Sequence, residues 1–192
     1  HALPNGANFY FGLGDILYEW NDLAAAENLL LQGQEIVREM RLAQAESVVW
    51  GYEGLARLQQ ARGQGQTALA TLDELQRVAH RHEFAPHLRT RGLAGMARIA
   101  LLQGDLATAV RWADERQLSL DNEWSYPYEQ EHLMLARVRL AQGWRERNAA
   151  LLAKVLGLLD QLLVQAEANS RIDSVIQILS LRALTLQVQG NV

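Results

Sequence analysis

The sequence has no cysteine, three prolines and three phenylalanines in 192 residues. Without cysteine there is no disulfide framework, no thiolate-ligated zinc and no thiol nucleophile, and the chain suits a reducing compartment. An excess of positive charge is missing too. The 18 Lys and Arg face 22 Asp and Glu, a net charge of −4, so no basic footprint for nucleic acid is expected from this chain alone. Long hydrophobic runs are also absent. The most apolar stretch, 151–166, is broken by Lys154, Asp160, Gln161 and Gln165, whereas a membrane span needs roughly 18 apolar residues in a row. No membrane partner is predicted. The opening His1-Ala2-Leu3-Pro4-Asn5 lacks the basic and apolar regions of a signal peptide, and a cytoplasmic location is expected. No window alternates apolar and polar residues, so no strand is predicted.

What the chain has in abundance is helix formers: 34 Leu and 27 Ala, arranged with helical rather than strand periodicity. Five amphipathic runs each end at a Gly or Asn, at Asn21, Gly63, Gly104, Gly143 and Gly190, giving spacings of 42, 41, 39 and 47. Such a period signals a repeat architecture. Seven positions before these turns stand Gly14, Ala56, Ala97, Ala136 and Ala183, and five after the first three stand Ala26, Ala68 and Ala109. A small residue at one fixed place in successive helices lets their backbones approach, with large aliphatic side chains filling the flanking grooves.

The pattern predicts leading helices near 7–20, 43–62, 86–103, 126–142 and 171–189, with partner helices near 22–41, 65–82, 105–117 and 146–169. Pro4, Pro86 and Pro127 all fall before a helix or in its first turn, where a missing N–H is harmless. Ser170 and Asp173 resemble a capped helix start. The expected architecture is all-α, one helical-repeat domain over 1–192, with repeats near 7–41, 43–82, 86–117, 126–169 and 171–190. The last repeat lacks its partner helix, which suggests an excised piece, since each repeat buries its apolar face only against neighbours.

The string Gly12-Leu13-Gly14-Asp15-Ile16-Leu17-Tyr18-Glu19-Trp20-Asn21-Asp22-Leu23-Ala24-Ala25-Ala26-Glu27 resembles a tetratricopeptide repeat (TPR), although the period exceeds the usual ~34 residues of that family. More narrowly, the phrases Leu17 to Leu23, Leu55-Ala56-Arg57, Leu135 to Gly143 and Ile176 to Gly190 resemble the MalT-like branch of LuxR-type transcriptional regulators. The resemblance implies a right-handed superhelix of antiparallel helix hairpins, about four and a half repeats and nine helices. It also implies a sensor flanked in the full protein by an N-terminal ATP-binding module and a C-terminal helix-turn-helix. An effector, small molecule or protein, would drive self-association, and DNA would be bound only through the helix-turn-helix. The sequence shows neither a Gly-x-x-x-x-Gly-Lys-Ser/Thr loop nor a basic recognition helix, so no cofactor is expected in this chain and ATP belongs to the other module. The alternative is a generic TPR adaptor that docks a peptide or partner protein.

In TPR arrays the leading helices line the concave face, with the residue after the small packing position pointing into it. Here that residue is Asp15, Arg57, Arg98, Arg137 and Leu184, which places Arg in three consecutive repeats. Asn8, Phe11, Tyr18, Glu19, Trp50, Glu53, Gln60, Arg91 and Gln130 are predicted to join them. Guanidinium forks and aromatic faces suit a polar ligand or an acidic segment of a partner. The competing reading pairs each Arg with a nearby carboxylate, such as Glu53 with Arg57 at i, i+4.

Other patterns point to structure. His80, His82 and His87 match no zinc spacing, and Gly63-Gln64-Gly65-Gln66-Thr67-Ala68 follows a helix rather than the strand a dinucleotide site requires. No serine sits in a Gly-x-Ser-x-Gly elbow, and no metal site or catalysis is expected. Trp124, Tyr126, Pro127 and Tyr128 mark the one long loop, read as a plug between repeats, with a lid as the alternative.

Overall fold

The computed structural model describes residues 6–39, 44–120 and 126–190. Among them lie nine α-helices, one short 3₁₀ turn and no strand. They are α1 (Gly6–Glu19), α2 (Leu23–Glu39), α3 (Ala45–Ala61), α4 (Gly65–Arg81), α5 (Pro86–Leu102), α6 (Leu106–Glu115), α7 (Glu129–Glu146), α8 (Ala149–Ala168) and α9 (Ile172–Gln189), with the 3₁₀ turn at Tyr126–Tyr128. The chain is an all-α, TPR-like helical repeat. Its contacts divide it into two compact units, His1–Ile99 and Ala100–Val192.

Helices end here by one repeated device. A residue one or two positions past the end of each leading helix adopts a left-handed conformation: Asn21 (φ 61°), Gly63 (76°), Gly104 (80°), Arg147 (53°) and Gly190 (74°). At the first four, the next N–H reaches back to a carbonyl five residues earlier: Asp22 to Leu17, Gln64 to Gln59, Asp105 to Ala100, and Asn148 to Gly143, all at 2.8–2.9 Å. That is a Schellman closure, which satisfies carbonyls the helix leaves open. The residue after the turn then caps the following helix in three cases. Asp22, Asp105 and Asn148 accept from the backbone N–H of Ala25, Thr108 and Leu151.

These hydrogen bonds correct the fourth turn. The sequence placed it at Gly143, but α7 runs on to Glu146 and turns at Arg147. The spacings become 42, 41, 43 and 43, a tighter period than the glycine pattern gave. Gly143 is a packing notch instead: a Cβ there would meet Leu152 at 2.8 Å. Leu152 stands where earlier repeats have Ala26, Ala68 and Ala109, so large and small residues exchange places across this hairpin. Ser170 is likewise a left-handed turn residue (φ 54°), and α9 starts from Arg171 without a side-chain cap. Residue 124 lies outside the described segments; Tyr126, Pro127 and Tyr128 form the 3₁₀ turn.

The first unit packs by close approach. The Phe11 ring, only 3% exposed, fills the space that a Cβ on Gly33 of α2 or Gly51 of α3 would need. Leu30 lies 2.7 Å from where a Gly14 Cβ would stand. Burying such a side chain contributes about 1.5–3 kcal/mol, and here the absence of two neighbouring side chains makes it possible. A second cluster joins Val48, Val49, Tyr52 and Ala56 of α3 to Leu72 and Leu75 of α4 and Leu88 and Ile99 of α5.

In the second unit, α8 contributes Leu152, Val155, Leu158, Leu159, Leu162 and Ala166 to the core beside α7 and α9. This helix is, by length and composition, apolar enough to cross a membrane, although Lys154, Asp160, Gln161 and Gln165 interrupt it. Two buried carboxylates tie α7 to its neighbours. Glu131 takes a 2.7 Å bond from Arg116, and Glu129 is held by Arg171 and Ser174 across to α9.

Two substitution sets test this packing. Gly51→Ala and Ala56→Leu are expected to lower unfolding free energy by about 1–3 kcal/mol through overpacking. Gly157→Ala, with nothing within 4 Å of the added methyl, should raise it by about 0.5–1 kcal/mol through helix propensity. Urea denaturation of the three variants reads both signs. For the revised turn, Arg147→Gly should gain up to about 1 kcal/mol, because glycine adopts the left-handed conformation without a Cβ penalty. A loss would return the turn to Gly143.

Candidate functional site

Leading helices α1, α3 and α5 bring a charged cluster together within the first unit. From α1 come Asp15 and Tyr18, four and seven residues after the core Phe11. From α3 come Glu53 and Arg57, one turn apart on the side of the helix that also bears the exposed Trp50. From α5 come Arg91 and Arg98, separated by two turns.

The charges pair across helices. Arg57 Nη2 donates to Asp15 Oδ1 at 2.9 Å, and its guanidinium lies over the Tyr18 ring, 5.4 Å from the centroid. Arg91 grips Glu53 through Nε and Nη2, with the shortest contact at 2.8 Å. The i, i+4 pairing of Glu53 with Arg57 is thus replaced by two interhelix pairs. Both are partly exposed and contribute up to about 1 kcal/mol each to stability. Their larger effect is to fix which residues face which.

Arg98 is different. It is solvent-exposed, and among the described residues no carboxylate lies within ion-pairing distance of it. Protein packed around its guanidinium, and then the positive charge of Arg57, lower its proton affinity below that of an ordinary arginine; Tyr18 and Glu53 act in the opposite direction. Burial pushes the Glu53 carboxyl above the usual range, against the pull of Arg91, Arg57 and Arg98. Burial also raises Asp15, opposed chiefly by Arg57.

The structure therefore gathers Asp15, Tyr18, Glu53, Arg57, Arg91 and Arg98 of the predicted set. Glu19 is exposed at the end of α1, Gln60 is engaged in an interaction on α3, and Asn8 reaches Gln44 at 3.5 Å. Phe11 is a correction: it belongs to the core. Arg137, Gln130 and Leu184 belong to the second unit. There Arg137 donates to Gln177 of α9 at 3.2 Å, Gln130 is exposed in the first turn of α7, and Leu184 is half exposed. Counted from Arg147, the position matching Arg57 and Arg98 is Ala141, and Arg137 matches Glu53. The stripe of three equivalent arginines is thus two, with Arg137 one turn earlier.

The second unit also holds a cleft of about 710 Å³, lined by Leu106, Val110 and Asp114 of α6 and by Gln142, Arg145 and Glu146 of α7. Nothing in the sequence singled these out, because the lining residues come from two helices that meet only in the folded chain. His82 lies 6.5 Å from the Phe84 ring at the end of α4, and no group of three metal-ligating side chains occurs among the described residues.

Against known families, the model of the MalT-like TPR region matches residues 1–192. Neither the curated proteins nor the solved structures contain a match.

The raised carboxyl affinities give a pH signature. A carboxyl whose folded pKa exceeds its unfolded value binds its proton more readily in the folded state, so it adds stability as pH falls through the folded pKa toward the ordinary range near 4.5. Glu53→Gln, which still accepts from Arg91, should remove its share of that rise. Urea midpoints at several pH values between 7 and 4 should show a flatter profile for the variant; an unchanged slope would show that Glu53 titrates normally.

Proposed function

The chain belongs to the MalT-like TPR region family, and from that membership we propose that it is the effector-sensing and protein-interacting repeat segment of an ATP-dependent, LuxR-type bacterial transcriptional regulator. ATP and DNA are handled by modules outside this segment, which is itself cytoplasmic, non-catalytic and free of cofactors. The observation that carries the reading is the face shared by α1, α3 and α5, where Arg57, Arg91 and Arg98 meet Asp15, Glu53 and Tyr18. Repeat proteins use such side-by-side helices as binding surfaces. Planar guanidinium donors beside an aromatic ring are suited to a polar effector or partner segment.

The mechanism is a population shift. An effector that binds this face favours one arrangement of successive hairpins, and the favoured arrangement releases the ATP module for self-association and promoter binding. The ligand acts only through its differential affinity for the two states.

The test uses the full-length regulator that carries this chain. Effector and ATP together should promote self-association, read by sedimentation, and promoter binding, read by mobility shift. The double variant Arg57→Ala, Arg98→Ala should lose effector response while keeping ATP binding, and Arg137→Ala should keep both. Peptide capture by this face with no dependence on ATP would instead favour a TPR adaptor.

A further inference from the structure

We propose that Arg98 is the anchor for an oxyanion, a carboxylate or phosphate group on the ligand received by the α1/α3/α5 face, with Arg57 as the second donor. The inference deepens the reading of that face as a receptor surface and rests on it. Three guanidinium groups meet there, and two have carboxylate partners: Arg57 has Asp15 and Arg91 has Glu53. The remaining carboxylate on this side of α1, Glu19, is exposed and makes no ion pair with Arg98 among the described residues. Arg98 is left as an exposed cation within electrostatic range of a second cation, Arg57.

Glu53 offsets part of the repulsion between Arg57 and Arg98 but is itself held by Arg91, so three guanidinium groups share two ion-paired carboxylates, and a bound anion relieves the repulsion that remains. Geometry supports the same assignment. Arg57 gives Asp15 one Nη2 hydrogen bond, and its fork carries further donors. The Glu53–Arg91 pair holds α3 against α5, with Arg57 one turn beyond Glu53 and Arg98 two turns beyond Arg91, so an oxyanion received beside that pair would take donors from both forks, the arrangement that carboxylates and phosphates accept best. Glu53 cannot fill this role while Arg91 holds it through two nitrogens. The pairs Asp15–Arg57 and Glu53–Arg91 thus act as positioning groups: they fix α1, α3 and α5 face to face and leave Arg98 open.

The test titrates the 192-residue chain with sodium succinate in one arm and sodium pyrophosphate in the other, at constant ionic strength set with sodium chloride. At least one probe should bind saturably, raise the thermal midpoint and shift the Arg98 Nε–H resonance. The arm that does so identifies the source of the oxyanion. Arg98→Gln should weaken that binding by about tenfold or more, as expected for loss of a charged hydrogen bond, and Arg98→Lys should recover part of it. Arg89→Gln, an exposed arginine elsewhere on α5, should bind as the unaltered chain. Without probe, Arg98→Gln should melt no lower than the parent, because it removes a like charge and no ion pair. The proposal is overturned by binding of neither probe, by equal binding to Arg98→Gln, or by a lower unliganded midpoint in that variant. Such a result would leave the effector and ATP response of the full-length regulator as a separate measurement.

Discussion

The distance at which helix backbones approach is the constraint on which the first unit depends. Phe11 is a full aromatic ring buried between α1, α2 and α3, and it fits only because Gly33 and Gly51 offer no Cβ to meet it. Gly14 does the same for Leu30, and Ala56 keeps the α3/α4 joint narrow. Interiors are packed as densely as organic crystals, so a pairing this close has few alternative registers. Once Phe11 is seated, helical geometry fixes the directions of Asp15 and Tyr18, one and two turns further along α1. The charged face is in this sense a consequence of the glycines behind it.

The interhelix ion pairs follow from that placement. A helix with Glu53 and Arg57 one turn apart has a local pair available, worth about 0.2–0.5 kcal/mol. The structure sets that pair aside because neighbouring leading helices bring Asp15 to Arg57 and Arg91 to Glu53. Each arginine reaches from one leading helix to the acid on the one before it. The second unit buries some of its charged groups further: Glu129, 4% exposed, is held by Arg171 and Ser174 across to α9. A buried pair of this kind adds little net stability, since desolvation offsets much of its attraction.

Most of the helical framework was legible because periodic apolar residues and turn glycines report on backbone geometry directly. Helices α1 to α5 begin and end within about two residues of their expected limits. Gly143 does not mark the fourth turn, because the turn demands a left-handed backbone rather than a glycine as such, and Arg147 supplies it. The informative signal was Asn148, the polar cap that follows the turn as Asp22 and Asp105 do. Counting from Gly143 carries Arg137 into the arginine stripe. Phe11 was missed as a core residue for a different reason: its slot is lined by glycines from two other helices, and no one-dimensional pattern records a contact between residues 11, 33 and 51. Cross-helix partners such as Asp15 and Arg57, 42 residues apart, are hidden in the same way, although one repeat length separates them.

That last number links the two kinds of order. Asp15 and Arg57 occupy the same position in successive repeats, and so does Arg98, 41 residues further on. In a repeat array the equivalent positions of neighbouring units stand side by side, so the sequence of charges down one column becomes a row of contacts in space. The column reads acid, base, base. The first two satisfy each other, and the third meets a neighbour of its own sign. Glu53 and Arg91 stand 38 residues apart, four fewer than the first pair, and so engage along a diagonal rather than along that row. The open cation on this face therefore arises from the order in which charges are written along a repeated column, and a single carboxylate in place of either Arg57 or Arg98 would close it.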